Sequence, residues 1–175
     1  MICVISILEP KGILVDATTT ATVFAVVVIV ERKIKDLNPC SPIFLSIGDN
    51  VKRRRLYIQF EKYIIKKNLF HESSTVEDNV IFGDGNQIFA NSYINSYSQV
   101  GNNNILNTSS IIEHEVTIGD HNHISIGAKL CGRVVIGNNC MVGAGVVVID
   151  NVLICDDVVI GAGAVVTRDI VESGT

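Results

Sequence analysis

His114 stands between two carboxylates in the run Glu113-His114-Glu115, and His121 and His123 follow within nine residues. An imidazole takes a proton near neutral pH, and a carboxylate on its other ring nitrogen fixes the tautomer and stabilises the imidazolium that forms. A base positioned in this way can activate an amine or a hydroxyl for attack on an acyl carbon, a contribution of roughly 10² to 10⁴ in rate. Glu113 and Glu115 both qualify as the partner, because successive strand side chains point to opposite faces. The five cysteines, Cys3, Cys40, Cys131, Cys140 and Cys155, contain no Cys-x-x-Cys pair. They suit reduced thiols in a cytoplasm better than a disulfide framework or a zinc ribbon, and none is marked as an activated nucleophile. The basic run Lys52-Arg53-Arg54-Arg55 opens an amphipathic helix without an aromatic stacking surface. It reads as a solvated helix face, with a substrate phosphate as the next candidate and nucleic acid excluded.

The elements that must position these residues follow from a repeat. Every sixth residue from Val76 to Val166 is Val, Ile, Leu or Phe, sixteen in succession without an insertion. Two places before each of them stands a small residue or one of Val or Asn size, as in Asn104, Ser110, Val116, Asn122 and Ala128. Neither a helical period nor simple alternation gives that pair of series. A short strand, a corner and the next strand do, three such faces closing an 18-residue triangular coil whose aliphatic side chains stack inside. Gly, Asn and Asp gather where the corners fall, as in Gly101-Asn102-Asn103-Asn104 and Gly119-Asp120, since they tolerate left-handed backbone angles. Gly132 follows His114 by three hexads, one coil further along the same face, so the two stack at about the 4.8 Å strand spacing.

Composition divides the chain near residues 71–74. Residues 1–75 hold 11 of the 14 basic residues and 2 of the 14 glycines, whereas the rest hold 12 glycines and no proline. The first part reads as a small, incomplete α/β (Rossmann-like) unit, residues 1–75, with strands at 13–16, 23–30 and 43–47 and a helix at 51–67 carrying Leu56, Phe60, Tyr63 and Ile64 on one face. The second, residues 76–175, is the β-helix, so the fold class is mainly β. The net charge of −4 implies no polyelectrolyte partner, and the apolar stretch 17–30 is short of the roughly 20 residues that span a bilayer. Without a leader-like opening, the expected location is the cytoplasm and no membrane partner is expected.

The hexad pattern resembles the hexapeptide-repeat acyltransferases, whose fold is a left-handed parallel β-helix. The stretch from Asn107-Thr108-Ser109-Ser110-Ile111-Ile112-Glu113-His114-Glu115 to His121-Asn122-His123-Ile124-Ser125-Ile126-Gly127-Ala128, with Ile47-Gly48-Asp49-Asn50 before it, resembles the NeuD and PglD subfamily of sialic-acid and nucleotide-aminosugar acetyltransferases. The resemblance implies acetyl-CoA as cosubstrate, a small sugar or sugar-nucleotide acceptor in surface-glycan biosynthesis, and no metal. By the same resemblance, His114 is the general base and Glu115 its carboxylate partner. His123 then donates to the acetyl carbonyl, and the Gly132 amide completes the oxyanion contact. Gly143, Ala144, Gly161 and Ala162 are expected along the coenzyme, although such glycines also serve the fold. His121 is expected at a solvent-facing corner. No Gly-x-Gly occurs before Val76, in the part where that subfamily holds the sugar nucleotide's phosphates, so the acceptor site is expected to be built differently or to be incomplete.

Flat prism faces poor in charge point to a homotrimer with the coenzyme in clefts between copies. Two further functions compete: a zinc hydrase of the γ-carbonic-anhydrase kind, disfavoured because the histidine spacings are 7 and 2, and a non-catalytic or degraded β-helix scaffold.

Overall fold

A computed structural model describes residues 13–15 and 44–175. Each hexad becomes a two-residue strand and a corner, and strands three hexads apart pair in parallel, so that Ile112 lies in register with Ile94 and Leu130. The first face stacks β2 (Leu69–His71), β5 (Gln87–Ile88), β8 (Ile105–Leu106), β11 (His123–Ile124), β14 (Met141–Val142) and β17 (Val159–Ile160), with β1 (Ile13–Val15) antiparallel beside β2. The second stacks β3 (Thr75–Val76), β6 (Tyr93–Ile94), β9 (Ile111–Ile112), β12 (Lys129–Leu130), β15 (Val147–Val148) and β18 (Val165–Val166). The third stacks β4 (Ile81–Phe82), β7 (Gln99–Val100), β10 (Thr117–Ile118), β13 (Val135–Ile136) and β16 (Leu153–Ile154). This is the expected left-handed parallel β-helix of about five turns.

The inner series forms the core. From Ile88 to Val166 each sixth residue is buried, and so is each small residue two places earlier from Asn86 to Val158. Burying each aliphatic side chain contributes about 1.5 to 3 kcal/mol. At one corner the small position carries a buried asparagine ladder. The side-chain oxygens of Asn86, Asn104 and Asn122 accept from the backbone N–H of Asn104, Asn122 and Cys140 at 2.8, 2.7 and 2.7 Å. Each amide nitrogen donates to a corner carbonyl, Gly101, Gly119 and Gly137 in turn. Cys140 is the next rung, its thiol donating to the Cys155 carbonyl at 3.0 Å, and burial pushes that thiol up to about 11. Its place is structural.

Among the described residues, eleven non-glycine positions have positive φ, among them Asn103, Glu115, His121, Arg133 and Asn139. They fall at the last corner position before each small residue, which explains the Asn and Asp bias there.

Helix α1 (Asn50–Gln59) begins at Asp49, whose side chain accepts from Lys52 N at 2.9 Å, a standard N-cap. It ends well before the expected residue 67 and is followed by one 3-10 turn, Glu61–Tyr63. Leu56, Phe60 and Ile64 are buried as expected. Residues 44–47 are irregular rather than a strand, yet Phe44, Leu45 and Ile47 are buried. The strand expected at 23–30 lies outside the described residues, as do Cys3 and Cys40. The hexads begin one unit earlier than Val76: Phe70 on β2 packs against the core, whereas Val76 is 38% exposed.

The segment from Leu45 to Leu56 packs against the first face, and the basic run is a solvated face only in part. Arg53 is fully buried, and its guanidinium donates to the carbonyls of Ile47 (2.7 Å), Asn103 (3.2 Å), His121 (2.8 Å) and Asn122 (2.9 Å) and to Asn50 Oδ1 (2.8 Å). Asn50 Nδ2 in turn donates to the Cys140 carbonyl at 2.7 Å. Of the run, Arg54 and Arg55 are exposed.

Candidate active site

His114 and Glu115 occupy the corner between β9 and β10, held by Arg133 N donating to the His114 carbonyl and Glu115 N to the Ser96 carbonyl. With Glu115 in the left-handed region, φ 59°, its Oε2 lies 3.1 Å from His114 Nδ1. A carboxylate only accepts, so Nδ1 carries the proton and Nε2 keeps its lone pair. Glu113, the alternative partner, is turned away, its Oε2 accepting from Asn95 Nδ2 at 2.8 Å.

One coil on, Gly132 lies beneath the imidazole. A Cβ at Gly132 would stand 2.6 Å from His114 Nε2 and 2.8 Å from Asp150 Oδ1, so the close approach of both side chains requires glycine. Gly132's own N–H meets no acceptor among the described residues. Directly below Glu115, Arg133 (φ 59°) places Nη1 3.8 Å from Glu115 Oε2, and its Nη2 donates to Asp150 Oδ2 at 2.6 Å. His114, Glu115, Arg133 and Asp150 are each about half exposed. Exposed pairs contribute about 0 to 1 kcal/mol to stability, so this string of groups matters for geometry more than for the fold. Sequence inspection passed over Arg133 and Asp150. The signal was present, since each lies one full coil after a singled-out residue, Glu115 and Gly132.

His123 is on β11, beyond β10 and the next corner from His114, so one chain does not bring the two histidines together. Its Nδ1 faces the Gly48 carbonyl at 3.1 Å and its Nε2 faces Asn107 Nδ2 at 3.1 Å. Gly48 can only accept, which puts the proton on Nδ1 and makes Nε2 the acceptor of the Asn107 amide. Asn107 is fixed in that orientation because its Oδ1 accepts from Thr108 N at 2.8 Å. The expected free ring N–H for an acetyl carbonyl is therefore absent from His123. Burial, with Arg53 adding to it and the Gly48 contact opposing it, lowers the pKa of this imidazole.

His121 does sit at a corner, but half-buried rather than solvent-facing. It packs edge-on against Tyr57 of α1 at 5.4 Å, and its Nδ1 accepts from Asn103 Nδ2 at 2.8 Å. Burial lowers its pKa, although Asp120 acts in the opposite direction.

Gly143, Ala144, Gly161 and Ala162 lie at the corner that leads from the first face to the second, after β14 and β17. Gly143 is buried, where a Cβ would meet Ala162 N and the Ile160 carbonyl at 2.6 Å, so its first duty is coil stacking. Ala144, Gly161 and Ala162 are exposed, and a Cβ at Gly161 would meet open space. Among the described residues no three His, Cys, Asp or Glu side chains gather where they could hold one metal ion. No helix among them is long and apolar enough to cross a membrane.

The family described as bacterial transferase hexapeptide (six repeats) matches at residues 115–149 and 133–168. No curated protein matches the chain by sequence. Among solved structures, the acetyltransferase domain of PglB from Neisseria gonorrhoeae is similar at 28% identity and a TM-score of 0.78, covering 89% of this chain and 78% of its own. The same domain in complex with acetyl coenzyme A gives 28% and 0.77, covering 89% and 77%. A His-to-Asn mutant of perosamine N-acetyltransferase from Caulobacter crescentus, in complex with CoA and GDP-perosamine, is 31% identical with a TM-score of 0.77, covering 89% of this chain and 76% of its own.

Proposed function

The chain belongs to the hexapeptide-repeat sugar acetyltransferases of the left-handed β-helix type, and from that premise we propose that it transfers the acetyl group of acetyl-CoA to an aminosugar, a sugar nucleotide or a sialic acid in surface-glycan biosynthesis. The observation that carries this reading is the His114–Glu115 pair over Gly132, with Nδ1 held by a carboxylate and Nε2 left bare. His114 Nε2 takes the acceptor's proton as the acceptor attacks the thioester carbonyl. The Gly132 N–H meets the oxyanion, and the departing thiolate recovers the proton from His114. His123, with both nitrogens engaged, holds Asn107 instead of reaching the acetyl group itself.

Acetyl-CoA runs along the open corner of Ala144, Gly161 and Ala162. The chain works in the cytoplasm as a homotrimer, which sets this corner of one copy near the His114 corner of the next. Residues 44–75, beside the first face, belong to the acceptor side.

The test is release of coenzyme A thiol from acetyl-CoA, followed with a thiol reagent, in the presence of GDP-perosamine, a UDP-linked 4-amino sugar or free sialic acid. Acceptor-dependent release with at least one of them supports the reading. Silence with all three overturns it.

A further inference from the structure

We propose that Arg133, anchored by Asp150, is a positioning residue for acetyl transfer: its guanidinium holds the Glu115 carboxylate against His114. The proposal rests on the acetyl-transfer reading above and adds a residue that acts on the base through Glu115. Arg133 reaches the pair with both its backbone and its side chain. Its N–H donates to the His114 carbonyl at 2.9 Å, which fixes the peptide that carries the imidazole. Its Nη1 stands 3.8 Å from Glu115 Oε2, the same oxygen that lies 3.1 Å from His114 Nδ1. Its Nη2 donates to Asp150 Oδ2 at 2.6 Å, so one planar fork is divided between carboxylates on the coils before and after it. Asp150 fixes the guanidinium, and the guanidinium fixes Glu115 by a charge contact longer than a hydrogen bond. A lysine ammonium is a point charge on a flexible stem and cannot serve both carboxylates in that fixed geometry.

The backbone of this corner supports a duty beyond the turn. Asn79, Tyr97, Glu115, Arg133 and Asn151 form one column, one residue per coil, and all five lie in the left-handed region with φ between 59 and 63°. Asparagine tolerates that region and stands at both ends of the column, whereas a long side chain there is strained. Such strain persists where the side chain does something a turn residue cannot. Glu115 and Arg133 are about half exposed, so their contact adds little to the fold, and an asparagine would suit the turn better.

Arg133 and Asp150 also act on His114 in opposite directions, since a cation opposes protonation of the imidazole and an anion favours it. Asp150 Oδ1 lies 2.8 Å and His114 Nε2 2.6 Å from the Cβ that Gly132 lacks. The other titratable groups at this corner are Tyr97 on the coil above, Cys131 beside Gly132, and Glu113, which is turned to Asn95. Arg168, one coil beyond Asp150, is exposed and pairs with neither carboxylate among the described residues. Lys129 of β12 is turned to the Gly127 carbonyl.

The experiment measures kcat, KM and the pH profile of thiol release, with whichever of the three acceptors above supports turnover. The variants are Arg133→Asn, Arg133→Lys, Asp150→Asn and the double variant Arg133→Asn/Asp150→Asn. Arg133→Asn should lower kcat about 10- to 100-fold, as expected for a base and its carboxylate displaced by the order of 1 Å. KM for the acceptor and calorimetric affinity for acetyl-CoA should stay within about twofold, because a positioning residue acts on the chemical step. The melting temperature should not fall, since asparagine suits the left-handed corner. Arg133→Lys should lose part of kcat and leave the acid limb of kcat/KM where it is. That limb should move up by about half a pH unit in Arg133→Asn and down by a similar amount in Asp150→Asn, the size of an exposed charge contact. The double variant should have a kcat no lower than Arg133→Asn alone, because Asp150 acts through Arg133.

A raised KM with kcat kept, a melting temperature that falls in step with activity, or acid limbs that move the same way would each overturn the proposal. If the unaltered chain turns over an acceptor and Arg133→Asn equals it, Arg133 alone loses its role. If the unaltered chain releases no thiol with any of the three acceptors, the acetyl-transfer reading falls and the proposal with it.

Discussion

At the scale of the residue, His114 depends on two neighbours in different ways. Glu115 holds Nδ1–H, and Gly132 leaves the room in which Nε2 lies. Replacing His114 by Ala should lower turnover by roughly two to four orders of magnitude and leave acetyl-CoA affinity within a few-fold, because a general base acts mainly in the transition state. Steady-state kinetics beside calorimetric binding of acetyl-CoA separates the two quantities. No nucleophilic Ser or Cys stands in this constellation, so Cys131→Ala should retain near-normal turnover. Loss of activity in that variant with retention in His114→Ala would move the chemistry to the thiol. Gly132→Ala tests the stacking directly. Its methyl group must displace the imidazole, and a misplacement of about 1 Å costs on the order of 10²-fold in rate. In the sequence His114 and Glu115 stand out through the resemblance and their adjacency, and Gly132 falls below His114 because an interval of three hexads becomes a vertical neighbour on a β-helix. Arg133 and Asp150 obey the same arithmetic, but a charged corner residue reads as solvated until its partner is also placed.

At the scale of the element, α1 is fastened to the first face by a residue whose type pointed the other way. Arg53 looks like part of a solvated basic stripe because the sequence shows four cations in a row and hides the carbonyls of Asn103, His121 and Asn122 that receive it. Its burial lowers its pKa to about 10, and it remains charged at neutral pH. Arg53→Met should destabilise the protein by at least about 3 kcal/mol, since several buried carbonyls lose their donor at once. Chemical denaturation measures it. His121 and His123 add a pH dependence at the same junction. Both folded-state values lie below the ordinary 6.5, so the unfolded chain binds protons more readily. Their effect on stability is absent well above pH 6.5 and becomes a loss as pH falls below it. Amide exchange should therefore accelerate in residues 44–60 on acidification before it does in the inner strands, and His123→Gln should weaken that response. The helix limits were less legible than the hexads, because ending α1 at Gln59 depends on packing against the prism, and nothing in the local sequence forbids a longer helix.

At the scale of the whole molecule, the hexads fix the prism so firmly that the core from Ile88 to Val166 could be named position by position, but they say nothing about which faces stay open. The first face is partly covered by the segment through α1, whereas the third shows Ile81 (64% exposed), Val135 (38%) and Leu153 (42%), and the second shows Val165 (62%). Such aliphatic rows on a rigid face suit contact with further copies of the chain. The His114 corner joins the second and third faces, while Ala162 lies where the first meets the second, so the full width of the second face separates the proposed base from the proposed coenzyme corner within one chain. A trimer that completes each site from two copies makes a prediction that a self-contained chain does not. His114→Ala removes the base and Ala162→Trp blocks the coenzyme corner, and each variant alone should be nearly inactive. Mixed in equal amounts during refolding or co-expression, they should recover roughly a quarter of wild-type activity, because one random neighbour pairing in four joins an intact base to an intact corner. If both parts of the site came from the same chain, every site in the mixture would carry one defect and the activity would stay at the level of the single variants. A mixture of wild-type chains with the double variant His114→Ala/Ala162→Trp supplies the calibration, since the same random assembly leaves one intact pairing in four there as well. Sedimentation at micromolar concentration completes the test: a strictly monomeric profile for an active preparation would end the shared-site arrangement outright.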